Sequence, residues 1–173
     1  NEIIILNGII YFGSVHIHLY LVDANTGNEL WKFKIGIGVL NENIEYTPGD
    51  FVSSPMEVSD DMVCFGSMVN YWDKTEPENH LFVVDIKNRV EKWRFFTGGE
   101  VSSAPAASGD VIYIGSNDTY LYALDKNTGE KLWKFKTQDG IESSPAASDG
   151  VVYFGSKDNY LYAVQDPCLV EWL

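Results

Sequence analysis

A chain of 173 residues that is 45% hydrophobic and 14% aromatic carries enough apolar material for a packed core and too much for a disordered segment. Its formal net charge of -13 repels phosphate backbones and anionic headgroups, which excludes nucleic-acid binding and adhesion to a membrane surface and leaves basic partners, cations or plain solubility. No apolar run reaches the roughly 18 residues that a membrane span needs, so membrane insertion is not expected.

The chain opens in a strand-like run, Ile3 to Leu6, with no leader legible before it, and this abrupt start fits a natural N-terminus lying upstream. A first unit follows from Gly8, GIIYFGSVHIHLYLVDANTGNELWKFK. A second, looser unit starts at Val52 with VSSPMEVSDDMVCFGS and resumes as LFVVDIKNRVEKWRFF. The third is the clearest, VSSAPAASGDVIYIGSNDTYLYALDKNTGEKLWKFKTQDG from Val101, and the fourth is IESSPAASDGVVYFGSKDNYLYAV from Ile141. The pairs Pro105 and Pro145, Gly115 and Gly155, and Trp93 and Trp133 are each 40 residues apart. Asp23 to Trp31, Asp85 to Trp93 and Asp125 to Trp133 each span 8.

Within a copy, turn residues separate four short apolar runs. In the third copy, strand A is read as Ser103 to Ala107, strand B as Val111 to Gly115, strand C as Tyr120 to Asp125 and strand D as Lys131 to Lys136. Gly129 stands where the C–D turn needs a positive φ. No sustained 3.6-residue period argues for a helix. A period near 40 with four strands per unit predicts an all-β propeller of four-stranded antiparallel blades, four of them in this chain. The expected blades occupy residues 1–36, 51–98, 101–138 and 141–173 of a single propeller segment. Stacking buries both faces of each sheet, which accounts for runs such as Val111-Ile112-Tyr113-Ile114. The strand D tryptophans, Trp31, Trp93 and Trp133, are expected to pack between neighbouring blades. After Val164 the turn signature gives way to Gln165-Asp166-Pro167-Cys168, and Trp172 is assigned the strand D role one residue out of register.

Two insertions set blade two apart. Trp31 to Pro55 spans 24 residues where Trp93 to Pro105 and Trp133 to Pro145 span 12, and Gly66 to Asp85 spans 19 where Gly115 to Asp125 spans 10. Because strands alternate in direction, the two inserts emerge on the same face and are expected to be neighbours. They hold Asn41, Glu42, Asn43, Glu45, Tyr46 and Asp50, then Asn70, Tyr71, Trp72, Asp73, Lys74, Glu76, Glu78 and His80. Aromatics beside carboxylates on protruding loops suit recognition, so Tyr46, Tyr71, Trp72, Asp73, Glu76 and His80 are the candidate partner-binding residues.

Chemistry finds little support. The insert carboxylates have no EF-hand or related spacing, and no metal site is expected. His16 and His18 share one side of a strand and His80 aligns with His18, but a third ligand is not apparent. Cys64 reads as a core residue, and Cys64 and Cys168 form no ligand cluster. Ser53-Ser54, Ser102-Ser103 and Ser143-Ser144 recur with the repeat as backbone-bonding residues. No nucleophile elbow, phosphate loop or dinucleotide fingerprint is present, and no catalytic residue is assigned. Asn117-Asp118-Thr119 matches a glycosylation sequon at a repeat position.

Pro105, Gly115-Ser116, Leu121-Tyr122-Ala123, Asp125, Thr128-Gly129-Glu130 and Leu132-Trp133 together resemble the repeat of the quinoprotein-like (pyrroloquinoline-quinone-type) propeller family. The resemblance covers essentially the whole chain, with copy two the most divergent. It implies fold more than chemistry, since the family holds quinone-dependent alcohol and sugar dehydrogenases, sensor domains and the lipoprotein propeller of the outer-membrane assembly machinery. Its enzymes bind pyrroloquinoline quinone with calcium in eight-bladed rings, and many carry adjacent cysteines. Here no ligand set carries over residue by residue. The expectation is therefore a non-catalytic module for protein–protein recognition or scaffolding, without a cofactor. The alternatives are part of a quinone-dependent alcohol or sugar dehydrogenase, or a ligand-binding sensor domain. Four copies are half of an eight-bladed ring completed by a homodimer, a fragment of a longer protein, or a closed four-bladed ring. The resemblance also favours an extracytoplasmic location.

Overall fold

The computed structural model describes residues 3–13, 18–34, 51–52, 54–59, 61–69 and 78–168. Among them there is no helix, and sixteen strands form four antiparallel sheets taken in chain order. The first sheet is β1 (Ile3–Leu6), β2 (Ile9–Gly13), β3 (His18–Asp23) and β4 (Glu29–Lys34), each hydrogen-bonded to the next. The second contains β5 (Phe51–Val52), β6 (Glu57–Ser59), β7 (Met62–Val69), β8 (Glu78–Asp85) and β9 (Val90–Thr97), with β5 and β6 both on β7. The third runs β10 (Ala106–Ser108), β11 (Val111–Gly115), β12 (Tyr120–Asp125) and β13 (Lys131–Lys136). The fourth, among the described residues, is β14 (Ala146–Ser148), β15 (Val151–Gly155) and β16 (Leu161–Gln165).

Strands B, C and D of the third copy lie where the turn residues predicted them. Strand A does not: it is Ala106–Ser108, displaced toward the turn from the expected Ser103 to Ala107. Pro105 has no N–H for the ladder, and Ala104 N donates instead to Ser144 Oγ of the next copy at 3.1 Å. A two-residue turn then suffices between A and B. It is built on paired positive φ at Asn7 and Gly8 and at Asp149 and Gly150, and on Gly109 alone in the third sheet.

The C–D turn is held by its aspartate. Asp125 Oδ1 accepts from Asn127 N (2.9 Å), Thr128 N (2.7 Å) and Thr128 Oγ1 (3.0 Å), and Gly129 N returns to Asp125 O at 2.8 Å. Asp23 repeats the set with Asn25 and Thr26. In the second sheet Asn88 N and Nδ2 cap Asp85, and Arg89 takes the positive φ of 59° that glycine holds elsewhere. Strand D re-enters with a register shift at the same place in three sheets, Leu21/Val22, Val83/Val84 and Ala123/Leu124. The bulge turns the leucine of the Leu-Trp pair outward, leaving Leu30 and Leu132 exposed, and re-aims the tryptophan inward.

No sheet owns its core. Val111 and Tyr113 pack toward the fourth sheet with Val152 and Phe154, while Ile112 and Ile114 pack toward the second with Cys64, Leu81 and Val83. Alternation sends successive side chains of one strand into two different interfaces, so a continuous apolar strand is consistent with period-2 geometry. A third cluster joins Tyr11, Leu19 and Leu21 of the first sheet to Val63, Phe65, Phe82 and Val84 of the second. Inner strands β6, β10 and β14 lie side by side. The whole is the propeller arrangement that the repeat predicts.

Candidate functional site

Blade two departs from its relatives where the sequence inserts residues. In the third and fourth sheets the B–C ladder ends at the rung from glycine to leucine, as in Gly115↔Leu121. In the second it continues past Gly66↔Leu81 through Ser67↔His80, Met68↔Asn79 and Val69↔Glu78. The end of the other insert joins it, since Phe51 pairs with Met68 and Val52 with Ser67. The two insertions are therefore neighbours, hydrogen-bonded into one projecting sheet.

Of the candidate recognition residues, Tyr46, Tyr71, Trp72, Asp73 and Glu76 lie outside the described residues, as do His16 and the assigned strand D residue Trp172. His80 is only 6% exposed: its ring lies against Phe82 at 5.7 Å and edge-on to Phe96 at 5.6 Å. A buried imidazole offers a partner little surface, and the exposed ring over it is Phe96. Nearby, Arg94 pairs bidentately with Glu91 at 2.6 Å and stands 5.0 Å from the Phe82 ring centroid. Thr97 Oγ1 donates toward Asn79 O (3.2 Å) and Gly99 O (2.7 Å), holding the blade's exit.

The tryptophans sit at the sheet interfaces. Trp93 is buried between the second and third sheets, and its Nε1 donates to Lys126 O at 3.1 Å. Trp31 packs on the core between the first and second sheets. Trp133 packs on the core between the third and fourth, and its Nε1 donates to Asp166 Oδ1 at 2.9 Å. Asp166 has the position that Lys126 has one copy earlier, so a side-chain carboxylate caps the indole where the regular turn is missing. It is fully buried, also accepts from the Tyr113 hydroxyl, and takes Cys168 N at 2.7 Å.

Sequence reasoning passed over two further cross-links. Asp118 Oδ2 accepts from Tyr122 Oη (2.6 Å) and from Gly98 N of the preceding connector (2.8 Å). Asp158 does the same for Tyr162 (2.8 Å) and Gln138 N (3.0 Å). The signal was present as Asp and Tyr four residues apart, repeated after 40. Asn117 of the sequon donates its backbone N–H to Glu100 O at 2.9 Å, and its Oδ1 is enclosed. The Gly-Ser pair serves close approach: a β-carbon on Gly115 would stand 3.0 Å from Ile141 Cβ, and Ser116 Oγ donates to Gly99 O at 2.9 Å. Ser54 Oγ accepts Gly66 N at 2.6 Å and Ser143 Oγ accepts Gly155 N at 2.7 Å, as expected of the recurring serines, whereas Ser102 Oγ and Ser103 Oγ are buried with no hydrogen-bond partner among the described residues.

These contacts set the electrostatics. Burial, then the Asp166 hydrogen bond, pushes the Tyr113 hydroxyl well above the usual phenol range, and burial with Asp118 does so for Tyr122. Burial pushes the Cys64 thiol up to about 12 and raises Glu57. These are shifts of packing. Among the described residues no group of three or more His, Cys, Asp or Glu side chains could hold a metal ion, and Cys64 and Cys168 are both free, one buried and one exposed.

The fold is shared with solved propellers of low sequence identity. The chain is similar to BamB from Moraxella catarrhalis (TM-score 0.73, 17% identity), covering 95% of this chain and 45% of that one. It is similar to the computationally designed Ika4 protein (TM-score 0.70, 19% identity), covering 95% of this chain and 89% of that one. It also resembles the quinohemoprotein alcohol dehydrogenase ADHIIG from Pseudomonas putida HK5 (TM-score 0.69, 16% identity), covering 94% of this chain and 32% of that one. The chain thus spans less than half the length of both natural proteins. No curated protein matches it by sequence. The model of the family described as outer membrane protein assembly factor BamB matches residues 77–167, more than half of the chain. Repeat, fold and match agree: the chain belongs to this family of pyrroloquinoline-quinone-type β-propeller repeats.

Proposed function

We propose that the chain is a non-catalytic propeller module for protein–protein recognition or scaffolding, working outside the cytoplasm as part of outer-membrane protein assembly. The observation that carries this reading is the projecting edge of blade two, where three extra B–C rungs and β5 add to an otherwise regular repeat. Irregularity confined to one blade is what a partner-specific surface on a repetitive scaffold requires. Tyr46, Tyr71, Trp72, Asp73 and Glu76 belong by sequence to the same two inserts, and Phe96 is exposed against His80 at the end of the second.

The test replaces residues 67–80 by the five-residue segment 116–120, which restores the regular turn, beside the single changes Tyr46→Ala and Trp72→Ala. Parent and variants are immobilised and exposed to a bacterial envelope extract, with retained proteins identified by mass spectrometry. The parent is expected to retain an outer-membrane assembly protein that the shortened variant loses. Equal retention by both overturns the reading.

The second reading, part of a quinone-dependent dehydrogenase, draws on the likeness to the alcohol dehydrogenase. Dye-linked oxidation of alcohols or sugars after addition of pyrroloquinoline quinone and calcium would replace the first reading with this one.

A further inference from the structure

The connector from the third sheet to the fourth, residues 137–140, is held from both sides. Thr137 Oγ1 donates to Asp139 O at 2.6 Å, and Gln138 N donates to Asp158 Oδ2 at 3.0 Å. Ser156 Oγ donates to Asp139 O at 3.1 Å, and Gly140 O accepts Lys157 N at 2.9 Å. Gly140 is buried against Asn117, and an added β-carbon would stand 2.6 Å from Asn117 Oδ1. The connector leads into Ile141, which is fully buried in the core shared by the two sheets.

Inside this clamp one contact stands apart. Asp139 Oδ1 accepts the N–H of the following residue, Gly140, at 2.7 Å. Cγ is one bond further on, so the Gly140 nitrogen and the Asp139 carboxyl carbon lie close to the roughly 3–3.5 Å that separates reacting atoms in a near-attack conformer. Glycine puts no side chain in the way of that approach, and Asp139 is exposed to water. A second Asp-Gly step in the chain serves as an internal reference. Asp149 lies in the left-handed region at φ 52°, and its Oδ2 is turned back to accept Ser148 Oγ at 3.0 Å. In the preceding connector Gly99 stands where Asp139 does, with no carboxyl to offer.

We propose that Asp139 and Gly140 form a self-modifying site, at which the aspartate isomerises to isoaspartate through a succinimide. Gly140 N attacks Asp139 Cγ. The N–Cγ bond forms, and the amide proton leaves with the carboxyl hydroxyl as one water. A second water then opens the five-membered ring. Attack at Cγ restores aspartate. Attack at the main-chain carbonyl leaves the backbone running through Cγ, with one added methylene, and the old carbonyl becomes a free carboxylate. One water is released and one consumed, and nothing is oxidised or reduced. The carbonyl that Thr137 and Ser156 bond thereby leaves the main chain. The added methylene has no slack to enter, since Lys157 and Asn117 fix Gly140, so it displaces Ile141 and loosens the junction of the third and fourth sheets. The inference is independent of the recognition surface on blade two.

The test incubates the 173-residue chain for weeks in mildly acidic buffer at physiological temperature, folded and in denaturant. Isoaspartate is counted by methylation with an isoaspartate-specific methyltransferase and radiolabelled S-adenosylmethionine, and located by electron-transfer fragmentation. In the folded protein it is expected at position 139 at about ten times its level at 149, and the two levels converge in denaturant. Asp139→Glu, which would need a six-membered ring, removes the signal at 139 and keeps that at 149. The aged parent is expected to lose several degrees more in melting temperature than the aged Asp139→Glu variant. Equal levels at 139 and 149 in the folded chain, or more isoaspartate at 139 in denaturant than in the fold, would overturn the site. An unchanged melting temperature in material carrying isoaspartate at 139 would overturn the loosening of the junction.

Discussion

Gly129 in the third sheet's outer turn lies against the indole of Trp93 on the second sheet. A β-carbon built on it would stand 2.6 Å from Trp93 Cδ2 and 2.7 Å from Cε3. The same turn accepts the indole N–H at Lys126 O. The glycine is thus fixed twice, by its φ of +75° and by the ring beside it. Gly129→Ala is expected to cost about 2–4 kcal/mol, combining left-handed strain with overpacking. Gly109→Ala, also at positive φ but with nothing within 4 Å of its β-carbon, is expected to cost only about 1 kcal/mol. Urea denaturation of both variants checks the difference, and equal costs would remove Trp93 from the explanation.

Arg89 holds the corresponding turn position in the second sheet at φ 59°. Arg89→Gly relieves left-handed strain and loses part of the gain to unfolded-chain entropy, for a net stabilisation of about 0.5–1 kcal/mol. A lowered denaturation midpoint would contradict this.

Asp166 accepts from two donors of the neighbouring sheet, the buried Tyr113 hydroxyl and the half-buried Trp133 indole. Asp166→Ala strands both and is expected to cost about 3–5 kcal/mol. Combined with Trp133→Phe, the loss falls short of the sum by about 1–2 kcal/mol, because one orphaned donor is then gone. Strict additivity in that double-mutant cycle would dissolve the link.

Stability narrows at both ends of the pH range. Backbone and side-chain hydrogen bonds hold Asp23, Asp85 and Asp125 below their ordinary 3.8, so the unfolded chain takes up their protons first and stability is lost as pH falls through that value and below. Asp125→Asn is expected to show a smaller drop in denaturation midpoint between pH 7 and pH 3 than the parent. Tyr113 and Tyr122 are raised above 10.0, so the unfolded chain releases those protons first and stability falls as pH rises past 10.0. Absorbance at 295 nm should show a late group among the ten tyrosines, which joins the others once the fold is lost.

Thiol accessibility separates the cysteines. Cys64 is buried, with its pKa raised to about 12, and Cys168 is exposed. One equivalent of an aromatic disulfide reagent should react in the native protein and two in denaturant. Two fast equivalents in the native state would place Cys64 outside the core.

The blades were legible because they are over-determined: Asp125, Gly129 and Trp133 recur at fixed spacing, and each has a separate mechanical reason to be where it is. Strand A was misplaced because its ladder begins after Pro105, and the bond that draws the preceding residues away, from Ala104 N to Ser144 Oγ, comes from another copy. The cross-links made by Asp118, Asp158 and Asp166 are not legible in the sequence for a similar reason. Their partners lie in a preceding connector or sheet, and a local pattern cannot show which backbone N–H a carboxylate will reach. The adjacency of the two insertions followed from strand direction alone. The burial of His80 did not, since the Phe96 ring that covers it comes from the neighbouring strand β9.

Since every cluster of apolar side chains is shared by adjoining sheets, each cooperative step of assembly joins segments about 40 residues apart in sequence, even though every element is a strand. Order can then spread along the array from whichever junction closes first. Amide exchange would be slow throughout the second and third sheets, each clasped on both faces, so that protection follows the order of the sheets and does not run from surface to centre.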